Sequence, residues 1–333
     1  MWETFRREFI RDLFLPVDAG RQEERIMELF TMQALYNPLY AHFLNLLRIA
    51  PATIRDIRDI PFLPVELFKS HAIQTGAFIP ELTFTSSGTS GQQVSRHLVR
   101  DTTLYKESLT KAFRLAYGDP GNYCILALLP SYLERSGSSL VYMVQEWIRT
   151  GTHPRSGMYL YDHDGLARVL AANEASGQPT LLIGVTFALL DFAARYPMDL
   201  KHTLVMETGG MKGRREELTR NQVHEQLRKA FGRASPIHSE YGMTEMLSQA
   251  YSQGDGLFSC PPWMTILVRD TTDPLRILPG AGRGAMNVTD LANVDSCAFL
   301  AVSDLGEVLP DGRFTITGRF DQADVRGCNL MVA

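Results

Sequence analysis

Cysteine is scarce in this sequence. The four residues Cys124, Cys260, Cys297 and Cys328 among 333 stand too far apart for a paired zinc motif and are too few for a disulfide framework. A strong excess of one charge is also missing. Lys and Arg number 33 against 37 Asp and Glu, a formal net charge of -4, which gives no broad attraction for a phosphate backbone and excludes nucleic acid as the expected partner. Long apolar runs are absent as well. Residues 1–16 interleave Arg6, Arg7 and Arg11 with Glu3, Glu8 and Asp12, unlike the apolar stretch of an export signal. The most apolar segment, 181–194, is interrupted by Gly184, Thr186 and Asp191 and falls short of the roughly 20 residues that cross a bilayer. The expectation is a cytoplasmic protein with no membrane span. What the chain does hold is 45% hydrophobic and 21% charged residues, enough apolar material for a sizeable core.

Between 22 and 47, Ile26, Leu29, Phe30, Ala34, Leu39, Phe43 and Leu47 recur at helical spacing, and Pro38 divides them into two helices. Pro61 and Pro64 predict an extended connection over 60–69. Short apolar runs at 124–129, 181–185 and 203–206 then alternate with helical patterns at 102–115, 138–149 and 215–230. Such alternation marks parallel strands joined by crossover helices, whose ligand sites lie at the carboxyl ends of the strands. After Tyr251, runs at 263–268, 298–302 and 313–317 are separated by turns rich in Gly, Pro and Asp, which predicts a β-rich part with an exposed loop at 270–284. The length admits either one large unit with subdomains or two domains. The organisation expected is a core over 1–318, with a mainly helical entry at 1–80, an α/β part at 81–250 and a β-rich part at 251–318, followed by a tail at 319–333.

Three short motifs carry chemistry. Thr85-Ser86-Ser87-Gly88-Thr89-Ser90-Gly91 combines hydroxyls with glycines that let the backbone approach a phosphate. It is not a Walker loop, because Gln92 stands where that loop needs Lys. Alone, such a stretch reads equally well as a flexible connector, but a helix starting near Asp101 follows it closely, and Arg96 and His97 between them are candidates for cationic support. In Ser239-Glu240-Tyr241-Gly242-Met243-Thr244-Glu245 a carboxylate and an adjacent hydroxyl are compressed into a turn, a grouping that suits Mg²⁺ and a phosphate oxygen. Ordinary Tyr-Gly turns and Thr-Glu helix starts give the competing explanation. Thr317-Gly318-Arg319-Phe320-Asp321 and Val325-Arg326-Gly327-Cys328-Asn329 set arginines among glycines. There an arginine either neutralises phosphate charge or pairs with Asp321 or Asp324.

In this order the pieces resemble the adenylate-forming superfamily of acyl- and aryl-CoA ligases. Residues 85–91 are similar to its phosphate-binding signature, 241–245 to its Tyr-Gly-x-Thr-Glu motif and 318–321 to its Gly-Arg-x-Asp hinge. Asp304 matches by position the aspartate that binds ribose hydroxyls, and Thr208-Gly209-Gly210-Met211-Lys212-Gly213 falls where the family builds its adenine pocket. More closely, 64–69, 207–214 and 287–291 resemble the acyl-protein synthetases of bacterial bioluminescence, relatives of phenylacetate-CoA ligases. The resemblance covers nearly the whole chain. It implies an α/β adenylate-forming core with a helical N-terminal segment, a parallel-type sheet region and a β-rich subdomain. The usual small C-terminal domain is expected to be absent, since the chain stops at Ala333, and no residue takes the role of that domain's lysine.

The same resemblance implies ATP and Mg²⁺ as cofactors, with coenzyme A as an alternative thiol. The implied substrate is a small-molecule carboxylic acid, a fatty acid in this branch, and the implied partners are an acyl reductase and an acyl transferase. Thr85, Ser86, Ser87, Gly88, Thr89, Ser90 and Gly91 would grip the ATP phosphates, and Gly209, Gly210, Tyr241 and Gly242 would line the nucleotide. Asp304 would anchor the ribose, Thr244 would bond the phosphate, Glu245 would hold Mg²⁺ and Arg319 would support the reacting phosphate. Cys328 would accept the acyl group. Two other readings stay open, an aryl- or acyl-CoA ligase of the phenylacetate type and a non-catalytic nucleotide-binding subunit. Tyr132, Phe187 and Trp263 are candidates for the acyl pocket and equally for the core. A zinc site at Cys260 and His238 is not assigned, having two of the usual three or four ligands.

Overall fold

The computed structural model describes residues 1–86, 93–130, 137–151, 153–209, 218–232 and 236–319. Two compact units divide the chain: the first joins Met1–Ile79 to the segment that begins at Pro262, and the second is Pro80–Pro261.

The first unit opens with helices α1 (Trp2–Leu13), α2 (Ala19–Tyr36) and α3 (Pro38–Leu46). Local chemistry sets their ends. Asp18 accepts the backbone N–H of Arg21 and caps α2, while Asn37 accepts the N–H of Tyr40 and caps α3. Pro38 occupies the first turn of α3, where its missing N–H costs nothing, so the break expected there is present. Within 60–69 the extended reading holds only to β1 (Leu63–Pro64), after which the chain turns into the short helix α4 (Leu67–Ser70).

The second unit begins with an antiparallel hairpin, β2 (Leu82–Thr85) and β3 (Arg96–Val99). There follow α5 (Thr102–Tyr117), β4 (Cys124–Leu128), α6 (Ser139–Gly151), β5 (Gly157–Met158), α7 (His163–Ser176), β6 (Thr180–Val185), α8 (Thr186–Arg195), β7 (Thr203–Thr208), α9 (Arg220–Phe231), β8 (Ile237–Tyr241), β9 (Ala250–Ser252) and β10 (Phe258–Ser259). Strands β5, β4, β6, β7 and β8 pair in that order, all parallel, and β9 and β10 extend the sheet antiparallel beyond β8. Every residue of β4 and β6 is buried, which explains runs too uniformly apolar to show alternation. The sequence pattern does not reveal helices α7 and α8. The second starts directly at Thr186 with no linker after β6, so strand and helix read together as one apolar segment.

Returning to the first unit, β11 (Met264–Arg269), β12 (Gly282–Asp290), β13 (Phe299–Val308) and β14 (Phe314–Arg319) form an antiparallel sheet, and β1 pairs parallel with the start of β13. The loop expected at 270–284 is shorter than read, because β12 begins at Gly282 and the Leu278 N–H donates back to the Val268 carbonyl. Phe299 collects Phe30, Tyr40 and Phe62 around it at ring-centroid distances of 5.9, 6.1 and 5.9 Å, joining entry helices to sheet through one aromatic cluster. Arg6 ties α1 to the same part with two hydrogen bonds to the Asp295 carboxylate, at 2.5 and 2.6 Å.

Gln33 does the same job in the interior. Its fully buried carboxamide faces the carbonyls of Asn293, Val294 and Ser296 at 2.9 to 3.3 Å and accepts the N–H of Ala298 at 2.9 Å. Gln33→Met keeps the volume but strands those backbone groups, so urea unfolding should show a loss of about 2–4 kcal/mol. A loss below about 1 kcal/mol would mean the backbone finds other partners.

Candidate active site

The carboxyl ends of β7 and β8 break the apolar pattern of the parallel sheet. Glu207 and Thr208 end β7, and Ser239 and Glu240 lie opposite them on β8 in register. Side chains alternate faces along a strand, so the two pairs point to opposite sides. On one side Glu207 is buried and well supplied with donors: Ser239 Oγ at 2.6 Å, Thr186 Oγ1 at 3.1 Å and Arg220 Nε at 3.2 Å, with His224 Nε2 at 3.5 Å. Burial pushes this carboxyl up, but His224, Arg220 and Ser239 outweigh it and hold Glu207 below the ordinary value. The Thr186 hydroxyl also lies 3.2 Å from the Gly209 carbonyl, so the network reaches the first glycine of the predicted nucleotide loop.

On the other side Glu240 has fewer partners. Thr208 Oγ1 donates to its Oε2, and burial raises the group from 4.5 to about 7, with the charge on Glu207 adding to the shift. Its Oε1 curls over Gly242, where a Cβ would come within 2.4 Å of it. A side chain at 242 would have to move the end of that carboxylate aside. Tyr251 faces Glu240 across β8 and β9, and its hydroxyl is buried without a hydrogen-bond partner. Gln249 Oε1, just before β9, and His238 Nε2 on β8 are likewise buried without partners.

The turn after β8 is held from a distance. His97 on β3 is buried, and its Nδ1–H donates to the Thr244 carbonyl at 2.8 Å, across 147 residues of sequence. Burial lowers the imidazole to about 4, so the ring is neutral at physiological pH and serves as a donor. The hairpin bearing His97 is the one that leads into the Ser/Gly segment, so one hydrogen bond joins the two motifs within the second unit. Thr244 is half-buried and Glu245 buried. Tyr241 ends β8 and meets Phe258 edge-on at 5.9 Å.

Of the predicted phosphate loop, Thr85 and Ser86 lie among the described residues. Thr85 N–H donates to the Gly137 carbonyl, and Ser86 Oγ accepts the N–H of Ser95, closing the hairpin. Ser87, Gly88, Thr89, Ser90, Gly91, Gly210 and Cys328 lie outside the described residues, as does Tyr132. Phe187 is half-buried on α8, whereas Trp263 is core of the first unit, packed edge-on against Phe14 at 4.7 Å. Also in the first unit, Asp304 and Arg319 sit opposite each other on β13 and β14, and Arg319 Nε donates to Asp304 Oδ1 at 2.9 Å. The sequence reading gives these two separate roles and expects any salt bridge of Arg319 to reach Asp321 or Asp324. It also takes His97 as cationic support beside the loop, whereas burial makes the ring a neutral tether. The parts played by Glu207 and Tyr251 escape it, since each acts only through a neighbour distant in sequence.

Among the described residues no group of three or more His, Cys, Asp and Glu side chains fits a metal ion, and no helix is long and apolar enough to cross a membrane. Solved structures share the architecture. MatB from Rhodopseudomonas palustris superposes with a TM-score of 0.53 at 18% identity, over 75% of this chain and 50% of that one. A 2-hydroxyisobutyryl-CoA ligase in an open conformation, in complex with 2-HIB-AMP and CoA, gives 0.61 at 13% identity over 93% and 77%. A long-chain-fatty-acid-CoA ligase from Archaeoglobus fulgidus gives 0.51 at 14% identity over 72% and 51%. At these identities the similarity establishes the fold, which this chain shares with those ligases. The chain spans about half the length of MatB and of the fatty-acid ligase. Family profiles and curated protein sequences give no match.

Two titrations of opposite sign are expected. His97, depressed from 6.5 to about 4, contributes stability above pH 6.5 that is lost as pH falls toward 4. Glu240, raised from 4.5 to about 7, contributes stability below pH 4.5 that is lost as pH rises toward 7. Glu240→Gln removes the second effect. Relative to the parent, its unfolding free energy should improve by about 1–3 kcal/mol between pH 4.5 and 8, the full shift being discounted for the solvent that reaches the group. A difference that does not change with pH would assign Glu240 an ordinary carboxylate.

Proposed function

We propose that this protein activates a carboxylic acid with ATP, forming an acyl-adenylate and pyrophosphate, and passes the acyl group to a thiol. The observation that carries the reading is the buried His97 to Thr244 hydrogen bond. It fixes the turn bearing Thr244 and Glu245 to the hairpin that opens into the hydroxyl- and glycine-rich segment, at the carboxyl ends of parallel strands where such folds take their ligands. The shared fold with ligases solved in complex with an acyl-AMP and CoA supports it.

In the first step a carboxylate oxygen attacks the α-phosphorus of ATP, and the bond to the β-phosphate breaks to release pyrophosphate. The protein's part is positioning and charge compensation, since the reactants supply the chemistry. Thr244 donates its hydroxyl to a phosphate oxygen, and Gly209 and Gly242 let the nucleotide approach the backbone. Glu245, a buried carboxylate in the turn after β8, would hold Mg²⁺ with phosphate and water oxygens completing the shell, as is usual beside a triphosphate. Bound there, Mg²⁺ supplies neutralisation of phosphate charge. Asp304 accepts from the ribose hydroxyls, and Arg319 supports the reacting phosphate.

In the second step a thiolate attacks the acyl carbon, and the bond to AMP breaks with its electron pair leaving on the phosphate oxygen. The thiol is Cys328 in the acyl-protein synthetase reading, which also brings a fatty acid and a reductase and transferase as partners. It is coenzyme A in the reading favoured by the ligand of the 2-hydroxyisobutyryl-CoA ligase.

Labelled pyrophosphate should exchange into ATP only when a suitable acid is present, and Glu245→Ala should reduce exchange about 100-fold or more. Intact mass after turnover then separates the acceptors: an acyl adduct that vanishes in Cys328→Ser identifies the protein thiol, and acyl-CoA without an adduct identifies the free one. No exchange with any acid, together with no ATP binding, would sink the adenylation reading.

A further inference from the structure

Burial of an unpartnered polar group is costly, and a native fold retains few such groups without a reason. Three of them lie on or beside β8 and β9: Tyr251 OH, Gln249 Oε1 and His238 Nε2. Tyr251 and Gln249 are each only 4% exposed. These two converge on Glu240. Tyr251 stands opposite Glu240 in the antiparallel register, and Gln249 lies just before β9. Gln249 Cγ and Glu240 Oε1 both crowd Gly242, at 3.4 and 2.4 Å from the position a Cβ would take. Glu240 itself keeps some access to solvent.

The chemistry of Gln249, Tyr251 and Glu240 is complementary to one kind of ligand. Gln249 Oε1 accepts only, Tyr251 OH both donates and accepts, and the Glu240 carboxyl, already bonded to Thr208 on one oxygen, offers the other. A single alcohol satisfies two of them at once, accepting from Tyr251 and donating its proton to Gln249 Oε1 or to Glu240. An alkyl or unsubstituted aryl tail offers nothing to Tyr251 OH or Gln249 Oε1, which stay buried and unpartnered. We propose that Tyr251, Gln249 and Glu240 form a recognition patch for a hydroxyl group on the acid substrate, so that the acid taken is a hydroxy acid and not a plain fatty or aromatic acid. The inference rests on the adenylation reading for the identity of the substrate but not for the existence of the patch.

The test pairs hydroxy acids with their deoxy counterparts: 2-hydroxyhexanoate and 6-hydroxyhexanoate against hexanoate, and 4-hydroxybenzoate against benzoate. Pyrophosphate exchange and thermal melting are measured on the full chain, the parent protein beside Tyr251→Phe and Gln249→Leu. At least one hydroxy acid should exceed its partner by about tenfold or more in kcat/KM, because a site built to bond a hydroxyl rejects the analogue that lacks it. Both variants should erase that ratio through KM. Without ligand, Tyr251→Phe should melt at the parent temperature or above it, since the hydroxyl it removes has no partner to lose.

Equal kcat/KM for the two members of every pair, or a preference unmoved by Tyr251→Phe, overturns the patch while leaving adenylation intact. So does a lower melting temperature for ligand-free Tyr251→Phe, which would show the hydroxyl already bonded, for instance to trapped water. If no acid supports exchange, melting decides. A rise with a hydroxy acid that its deoxy partner lacks and Tyr251→Phe abolishes upholds the patch although adenylation fails, and no differential rise overturns it.

Discussion

A carboxylate taken out of water must either find donors or give up its charge, and the end of the β7 and β8 pair contains both outcomes on adjacent strands. Glu207 finds Ser239, Thr186, Arg220 and His224 and stays ionised. Glu240 finds Thr208 and is held near neutrality. The parallel register makes this unavoidable, since it places Ser239 beside Glu207 and Glu240 beside Thr208, one pair on each face. The satisfied side packs under α9 and steadies the approach to Gly209. The under-satisfied side faces Tyr251 and Gln249. A fold gains little from burying polar groups in this way, and such clusters belong where ligand chemistry demands them.

Holding a turn in place without a regular element to support it requires tethers at its backbone carbonyls, and His97 supplies one to Thr244. A neutral imidazole suits that role. It is a good donor, it carries no charge to be desolvated, and burial keeps it uncharged across physiological pH. A lysine at 97 would bring a charge into the interior, and a leucine would remove the donor from the carbonyl. Local propensity cannot be the reason for His97, which lies in the middle of a four-residue strand. The tether explains it.

Much of the fold is readable in the sequence because it depends on local chemistry. Asn37 and Pro38 end one helix and start the next, and the runs that form β4, β6 and β7 need no partner to be recognised. Other elements are hidden where two signals merge. Helix α8 follows β6 without a turn, and the strand-like behaviour of 282–284 emerges only when β13 is laid beside it. The site divides along the same line. Motif spacing points to Tyr241, Gly242, Thr244 and Glu245, but Glu207, His97 and Tyr251 matter through partners brought near by the fold, and no single-chain pattern carries that information. Glu240 is in plain view inside the motif, and its environment, not its identity, makes it unusual.

Asp304 and Arg319 show how pairing changes what a position can do. Arg319 is 69% exposed at its side chain and Asp304 6%, so the guanidinium caps an aspartate that the strand has buried. An exposed arginine contributes little to stability through such a pair, yet removing it would take a charged donor from an aspartate in a poorly solvated place, which costs considerably more. Asp304 and Arg319 therefore act as one unit, with Arg319 holding the Asp304 carboxylate aligned.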